Sequence, residues 1–142
     1  MRAPPTGFAP MPPRGPFLEA NGPFYHDGGT RFGFVPETRH LNVLGFVHGG
    51  LLSTLMDSAM AHCAVAAHGH AVVTEALSLQ FQAVVVQGRW AEVEVVMGER
   101  RAEAVEVHAE LRSRGSVGAR AEGRFRLLLS RPVAAGGVRV AR

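Results

Sequence analysis

The chain has 142 residues, of which 46% are hydrophobic, and its formal net charge is +3. These values indicate one globular domain and exclude a disordered chain. So small a charge, with no nucleic-acid-binding motif, gives no reason to expect a nucleic-acid partner. No apolar stretch approaches the roughly 20 residues of a membrane span, and the start of the chain lacks an apolar signal segment. We therefore expect a cytoplasmic protein without membrane association, and the single cysteine fits a reducing compartment.

The N-terminal part of the chain predicts a loose arm and then short elements. Six prolines fall within residues 1–16, which we expect to form a flexible arm. A helical turn is possible over residues 17–21. Two short strands could cover 22–26 and 30–36, joined by the turn Asp27-Gly28-Gly29.

One long helix is predicted from about Gly49 to His68. Gly69 is a typical residue for ending a helix, and His68 lies at the negative end of the helix dipole. Apolar residues occur all around this segment, so we expect the helix to be buried on most of its sides. Asp57 is the exception, because a carboxylate in apolar surroundings is disfavoured unless another group pairs with it or uses it.

From Val72 onward the pattern changes to a period of two residues, which predicts four strands joined by short connections in an antiparallel meander. The alternating segments are 77–83, 90–97, 105–112 and 117–127. We expect residues 131–142 to form a flexible tail, which leaves 17–130 as the folded domain.

A long helix followed by four long strands predicts an α+β fold in which a curved antiparallel sheet of five to six strands wraps around the helix. One helix is too small to cover such a sheet, and its edge strands would remain open. Dimerisation through a sheet edge would resolve both problems.

The helix start offers backbone donors. If the helix begins at Gly49, the N–H groups of Gly49 and Gly50 have no partner within it and carry the positive end of the dipole. Such donors can polarise a carbonyl group and stabilise an oxyanion. Asp57 lies roughly 12 Å further along the axis, so one carbonyl carbon cannot contact both groups of a single helix. Two antiparallel helices across a two-fold axis would bring them together, which predicts a composite site, two per dimer.

The segment from Asn42 to Gly50, Asn-Val-Leu-Gly-Phe-Val-His-Gly-Gly, is followed by Asp57. It resembles the N-x-x-G-x-x-H-G-G-x6-D signature of hotdog-fold acyl-CoA thioesterases, most of all the phenylacetate-pathway type. The plan of a helix followed by four strands extends the resemblance over roughly residues 20–129. The family often has a proline after the aromatic residue of the first long strand, and none follows Phe81 here. A related branch has glutamate at the acid position and a hydroxyl one turn later, where this chain has Ala61.

The resemblance implies a role for each residue of the signature. Asp57 would be the general base or nucleophile, and the Gly49 amide would stabilise the oxyanion. Asn42 would hold the attacking water or the thioester, and His48 would support the helix start. Thr74, near the start of the first long strand, would assist the water.

The resemblance also implies the substrate and the assembly. The substrate would be an acyl-CoA, and the arginines would lie near its phosphates. No cofactor is implied. The homodimer would assemble further, into a homotetramer. The substrate-binding residues would be Gly50, Ser53, Arg89 and Arg120.

Alternatives remain for several of these residues. Asp57 could be a structural acid, and Asn42 could cap a loop turn. Ser53 could hydrogen-bond to Asp57 or to its own helix. The C-terminal arginines could form a solvated sheet face. His68-Gly69-His70 lacks a carboxylate or cysteine at a standard spacing, so we expect no metal site.

Alternatives also remain for the function. The chain could be a non-catalytic acyl-CoA-binding protein of the same fold, or a hydratase or dehydratase of the same superfamily. The acyl group, and the choice between CoA and a carrier-protein thioester, are left open.

Overall fold

The computed structural model describes residues 2–12 and 14–134. Its helices are α1 (Pro16–Asn21) and α2 (Gly49–His68), and a short 3-10 turn spans Thr38–His40. Among the described residues, no helix combines the length and apolar character needed to cross a bilayer. The strands are β1 (Ala9–Pro10), β2 (Tyr25–His26), β3 (Arg31–Phe34), β4 (His70–Phe81), β5 (Ala91–Arg101), β6 (Ala104–Ser113) and β7 (Ser116–Pro132).

The strands form one antiparallel sheet in the order β1-β2-β3-β5-β6-β7-β4, which packs against α2. The predicted α+β plan is confirmed. The sheet has seven strands where five to six were expected. The unexpected strand is β1, which comes from the N-terminal arm and pairs with β2.

The expected four-strand meander is wrong in one respect. β5, β6 and β7 form a meander, but β4 pairs with β7 and lies at the opposite edge of the sheet from β1. The connection 82–90 is too long for a hairpin turn and crosses the end of the sheet, where Val47 N–H donates to the Val85 carbonyl at 2.9 Å. The crossing leaves one edge of the long strand β4 unpaired within the described chain.

Part of the N-terminal arm contacts the domain. The Phe8 ring packs edge-on against Trp90 with the centroids 5.0 Å apart. Met11 N–H donates to the Phe24 carbonyl at 2.8 Å. At the other end, β7 runs to Pro132, and residues 135–142 of the tail expected to be flexible lie outside the described residues.

α2 buries only one face against the sheet, so the expectation that it is buried on most sides is wrong for a single chain. The sheet packs against one side of the helix, and the side bearing Asp57 is only half-buried. The buried residues recur in pairs four positions apart: Leu51, Leu52, Leu55, Met56, Ala59, Met60, Cys63 and Ala64.

His62 of α2 makes the stability of the fold depend on pH. Its ring packs edge-on against Phe32, with the centroids 5.3 Å apart. Burial, together with the nearby Arg14 and His26, lowers the pKa of His62 to about 4. The unfolded chain takes up this proton near the ordinary value of 6.5, whereas the folded protein does not. The free energy of unfolding therefore falls as the pH is lowered from 6.5 towards 4.

We expect His62→Leu to reduce this acid sensitivity. The Nδ1 atom of His62 is buried and has no hydrogen-bond partner among the described residues, so its loss breaks no bond. The free energy of unfolding in urea, compared at pH 7 and pH 5, measures the effect. His108→Leu, which replaces an exposed histidine, is the control. Equal pH dependence in the native protein and His62→Leu would contradict this interpretation.

Candidate active site

α2 begins at Gly49, with His48 as the residue that caps it. Gly50 N–H donates to the Nδ1 atom of His48 at 2.9 Å, and Leu51 and Leu52 donate to the His48 carbonyl. The expectation that both glycine amides remain free is therefore wrong for Gly50, because the His48 ring reaches back to it. Gly49 N–H has no hydrogen-bond partner within the described chain, so it remains free to bind an incoming oxygen atom.

A buried histidine that the sequence analysis did not assign holds the helix start. His40 is only 4% exposed, and its carbonyl accepts from His48 N–H at 2.9 Å. Its Nδ1 atom accepts from Glu37 N–H at 2.9 Å, so its Nε2 carries the proton and donates to the Asn21 carbonyl at 2.8 Å. Burial lowers the pKa of His40, which keeps the ring neutral and able to make both bonds. His40 thus connects α1, the 3-10 turn and the start of α2.

Asn42 shapes the loop before the helix. Its side-chain oxygen accepts from Leu44 N–H at 2.9 Å and from Phe46 N–H at 3.2 Å, so Asn42 caps a loop turn. This is one of the two alternatives that the sequence left open. The Asn42 side-chain NH2 group has no partner among residues 2–12 and 14–134, and it remains available to bind a ligand.

Asp57 lies on the open face of α2 and is half-buried. The Thr74 hydroxyl of β4 donates to Asp57 Oδ1 at 2.7 Å, while Oδ2 has no partner in the described part of the chain. Ser53 does not bond to the acid, because its hydroxyl donates to the Gly49 carbonyl at 2.7 Å. A carboxylate oriented by one hydroxyl, with its second oxygen free, can act as a base or as a nucleophile.

Phe81, the last residue of β4, lies against the helix start. A Cβ atom added to Gly49 would be 3.4 Å from the nearest atom of the Phe81 ring, although the Phe81 side chain is 54% exposed. Gly49 and Phe81 therefore form one group at one end of α2, and Asp57 and Thr74 form another group further along it. The sequence analysis did not assign Phe81, and its position at the end of the apolar alternation was the available signal.

One chain does not bring the two groups together. Gly49 and Asp57 are eight residues apart on one straight helix. Their separation is roughly 12 Å along the axis, far longer than the reach of a single carbonyl group. One chain therefore keeps the Gly49 amide and the Asp57 carboxylate apart.

The two arginines predicted to bind substrate differ in their side-chain contacts. Arg120 on β7 already pairs with Glu110, whose carboxylate accepts from its Nε at 3.0 Å, and with Gln82 at 3.2 Å. These contacts fit the solvated sheet face that the sequence left as an alternative. Arg89, in the connection before β5, is exposed and makes no ion pair with any described residue.

Two other features concern metal binding and the reactivity of the cysteine. Within the described ranges, no three His, Cys, Asp or Glu side chains are placed to share a metal ion. Burial raises the pKa of the Cys63 thiol to about 11, so it is protonated at neutral pH and packs as a small apolar side chain.

Comparison with known proteins identifies the family. Residues 44–119, more than half of the chain, match the sequence profile of the Thioesterase superfamily. The chain belongs to this superfamily. A protein of Pseudomonas aeruginosa, PA0474, named provisionally as an esterase, is 34% identical over 132 residues, which cover 87% of this chain and 96% of that protein.

Several solved structures share the fold of this chain. The PaaI protein from the phenylacetic acid degradation operon of E. coli superimposes with a TM-score of 0.68 at 18% identity, covering 78% of this chain and 76% of that one. The smu.793 protein of Streptococcus mutans, solved with acetyl-CoA bound, superimposes with a TM-score of 0.68 at 17% identity, covering 73% and 82%. The profile match confirms the resemblance to thioesterases, and the solved structures confirm that the chain shares its fold with the PaaI protein.

Proposed function

We propose that the protein hydrolyses acyl-CoA thioesters at a site formed by two subunits. One observation carries the proposal: α2 presents the free Gly49 amide at its start and the Asp57 carboxylate on its open face, too far apart for one substrate. Membership of the Thioesterase superfamily supports thioester chemistry for this pair. A second subunit would supply the missing half of each site.

The surfaces that one chain leaves open support a homodimer. β4 is a twelve-residue edge strand, and Phe81 on its helix-facing side is 54% exposed. Pairing two β4 edges around a two-fold axis would occupy the open backbone edge and run the two α2 helices antiparallel. Gly49 of one subunit would then face Asp57 of the other. Further assembly into a homotetramer is part of the proposal.

The mechanism follows from the two groups. The Gly49 N–H polarises the thioester carbonyl and stabilises the tetrahedral oxyanion, aided by the helix dipole. Acting as a base, the partner's Asp57 takes a proton from water, whose oxygen attacks the carbonyl carbon, and the thiolate of CoA leaves. Acting as a nucleophile, the partner's Asp57 attacks the carbonyl carbon and the C–S bond breaks, so that the CoA thiolate leaves and a mixed anhydride forms. Water then hydrolyses the anhydride to the free acid and the regenerated Asp57 carboxylate. Thr74 orients the carboxylate, and the free NH2 group of Asn42 binds the water or the thioester.

The substrate is proposed to be a CoA ester of a small, medium or aromatic acid. Bound acetyl-CoA in the S. mutans relative supports CoA as the carrier. Arg89 is free to contact a phosphate group, whereas Arg120 shares its charge with Glu110. The Phe81 ring beside Gly49 offers an apolar wall to the acyl group. The mechanism needs neither a metal nor a cofactor.

The direct test is the release of free CoA from acetyl-, hexanoyl- and phenylacetyl-CoA, measured with a thiol reagent. We expect at least one ester to be cleaved with a kcat on the order of 1–10³ s⁻¹. Calorimetry on the same esters runs in parallel. Tight binding without thiol release would instead identify a binding protein, and hydration of an enoyl-CoA would identify a hydratase.

A further inference from the structure

Two side chains of the site, Thr74 and Phe81, lie on the same face of β4. In a regular strand they would lie on opposite faces. Thr74 and Phe81 are seven residues apart, and successive side chains of a strand point to opposite faces. Yet Thr74 bonds to Asp57 of α2, and Phe81 lies against Gly49 of the same helix. The strand must change phase between them.

The change of phase is a β-bulge at Glu75. Thr74 pairs with Phe125 of β7, and the next pair along the strands is Ala76 with Arg124, so Glu75 has no opposite residue. One extra residue in one strand of an antiparallel pair defines a bulge, which commonly redirects a side chain.

Burial of the partner residues on β7 assigns the faces of β4. Cross-strand partners project to the same face of a sheet. Phe125, opposite Thr74, is fully buried beneath α2, whereas Arg124, opposite Ala76, is exposed on the outer face. Before the bulge, therefore, even-numbered residues of β4 face the helix, and after it odd-numbered residues do. The helix-facing residues are Val72, Thr74, Leu77, Leu79 and Phe81.

The bulged residue is itself held on the outer face. The Glu75 carboxylate accepts from Nε of Arg124 at 3.1 Å and from Nε of Arg126, and the Glu75 side chain is 25% exposed. The hydrogen bond from Arg126, and after it the one from Arg124, lowers the pKa of Glu75. The carboxylate therefore remains charged at neutral pH. Both arginines lie on β7, the strand against which β4 is bulged.

We propose that Glu75 is a positioning residue: its ion pairs with Arg124 and Arg126 hold the bulge that turns Thr74 towards Asp57. Its effect on the rate rests on the proposed thioesterase function. Glu75 touches no reacting atom and acts through Thr74, which orients the carboxylate.

The chain contains a matched control. Glu110 on β6 also lies on the outer face, with its side chain 30% exposed, and its carboxylate also pairs with two arginines, Arg112 and Arg120. Unlike Glu75, it has a direct partner on both neighbouring strands. Glu75→Gln and Glu110→Gln thus remove the same kind of ion pair, but only one of them lies in a bulge.

We expect Glu75→Gln to lower kcat by roughly 10- to 100-fold with KM nearly unchanged, because a small displacement of a catalytic group has effects of this size. Glu110→Gln should keep the native kcat. In a Thr74→Val background, Glu75→Gln should have little further effect, because the residue through which it acts is already absent. Equal kcat for Glu75→Gln and Glu110→Gln, or full additivity with Thr74→Val, would overturn the proposal.

Crystal structures of both variants give a readout that needs no activity. In Glu75→Gln the distance from the Thr74 hydroxyl to Asp57 should exceed hydrogen-bonding range, and in Glu110→Gln it should not. If the native protein shows no turnover, the thioesterase function is refuted. If the distance from the Thr74 hydroxyl to Asp57 is unchanged in Glu75→Gln, the positioning role is refuted. If Glu75→Gln fails to fold, Arg126→Gln weakens the same ion pairs and is judged by the same distance.

Discussion

Asp57→Asn is expected to lower kcat for the best acyl-CoA substrate by about 10²–10⁴-fold, the usual range for removing a catalytic acid or base. Asparagine has nearly the same shape, and its side-chain oxygen can still accept from the Thr74 hydroxyl that bonds to Asp57 at 2.7 Å. It can neither accept a proton from water nor form an anhydride. The loss should therefore appear in kcat, measured as thiol release under saturating substrate.

Two controls isolate the chemistry of Asp57. Ser58→Ala changes the adjacent half-buried residue of α2 and should keep the native rate. CoA binding to Asp57→Asn, measured by calorimetry, should match that of the native protein, because the carboxylate acts on the thioester and not on the carrier. Equal rates for Asp57→Asn and the native protein would remove this residue from the mechanism.

Local sequence signals predicted the long helix well. Its end is set by Gly69, which has a φ of 70° and donates its N–H to the Val65 carbonyl at 2.8 Å. Its start is marked by the pair Gly49-Gly50, which follows a loop containing Asn42 and Gly45. Both signals depend on a few neighbouring residues, which is why the bounds Gly49–His68 could be derived from the sequence.

Non-local pairing was harder to predict. The alternation at Leu77, Leu79 and Phe81, extended backward, would place Glu75 towards the helix and Thr74 away from it. The bulge reverses this, and it depends on pairing with β7 some fifty residues later in the sequence. The position of β4 beside β7 is likewise a property of the whole sheet. Alternation within a strand carries no information on either point.

The choice of hydrogen-bond partners was also outside the reach of sequence. Both glycine amides were candidates for a free donor, and only the orientation of the His48 ring decides between them. The same holds for Arg120, whose charge is shared with Glu110. Such choices depend on side-chain conformations, which the spacing of residues leaves open.

Gly49→Pro is expected to lower kcat by about 10²–10³-fold, the usual effect of losing one oxyanion donor. Proline lacks the backbone N–H and is well tolerated at the first position of a helix. His48, the residue before it, already has the extended backbone that proline requires, with a ψ of 131°. Gly49→Ala is the matched control, because it keeps the amide and adds a Cβ atom at ordinary contact distance from Phe81. It should keep most of the native rate.

Mixing two inactive variants tests whether the site is shared between subunits. A heterodimer of Gly49→Pro and Asp57→Asn subunits would have one site with both defects and one with neither. After subunit exchange at equal concentrations, half of the dimers are mixed, so activity should return to about a quarter of the native value. If each site instead took all its residues from one subunit, every site would carry a defect and activity would not recover. Recovery of thiol release on mixing therefore distinguishes a shared site from two independent ones, whichever role Asp57 has.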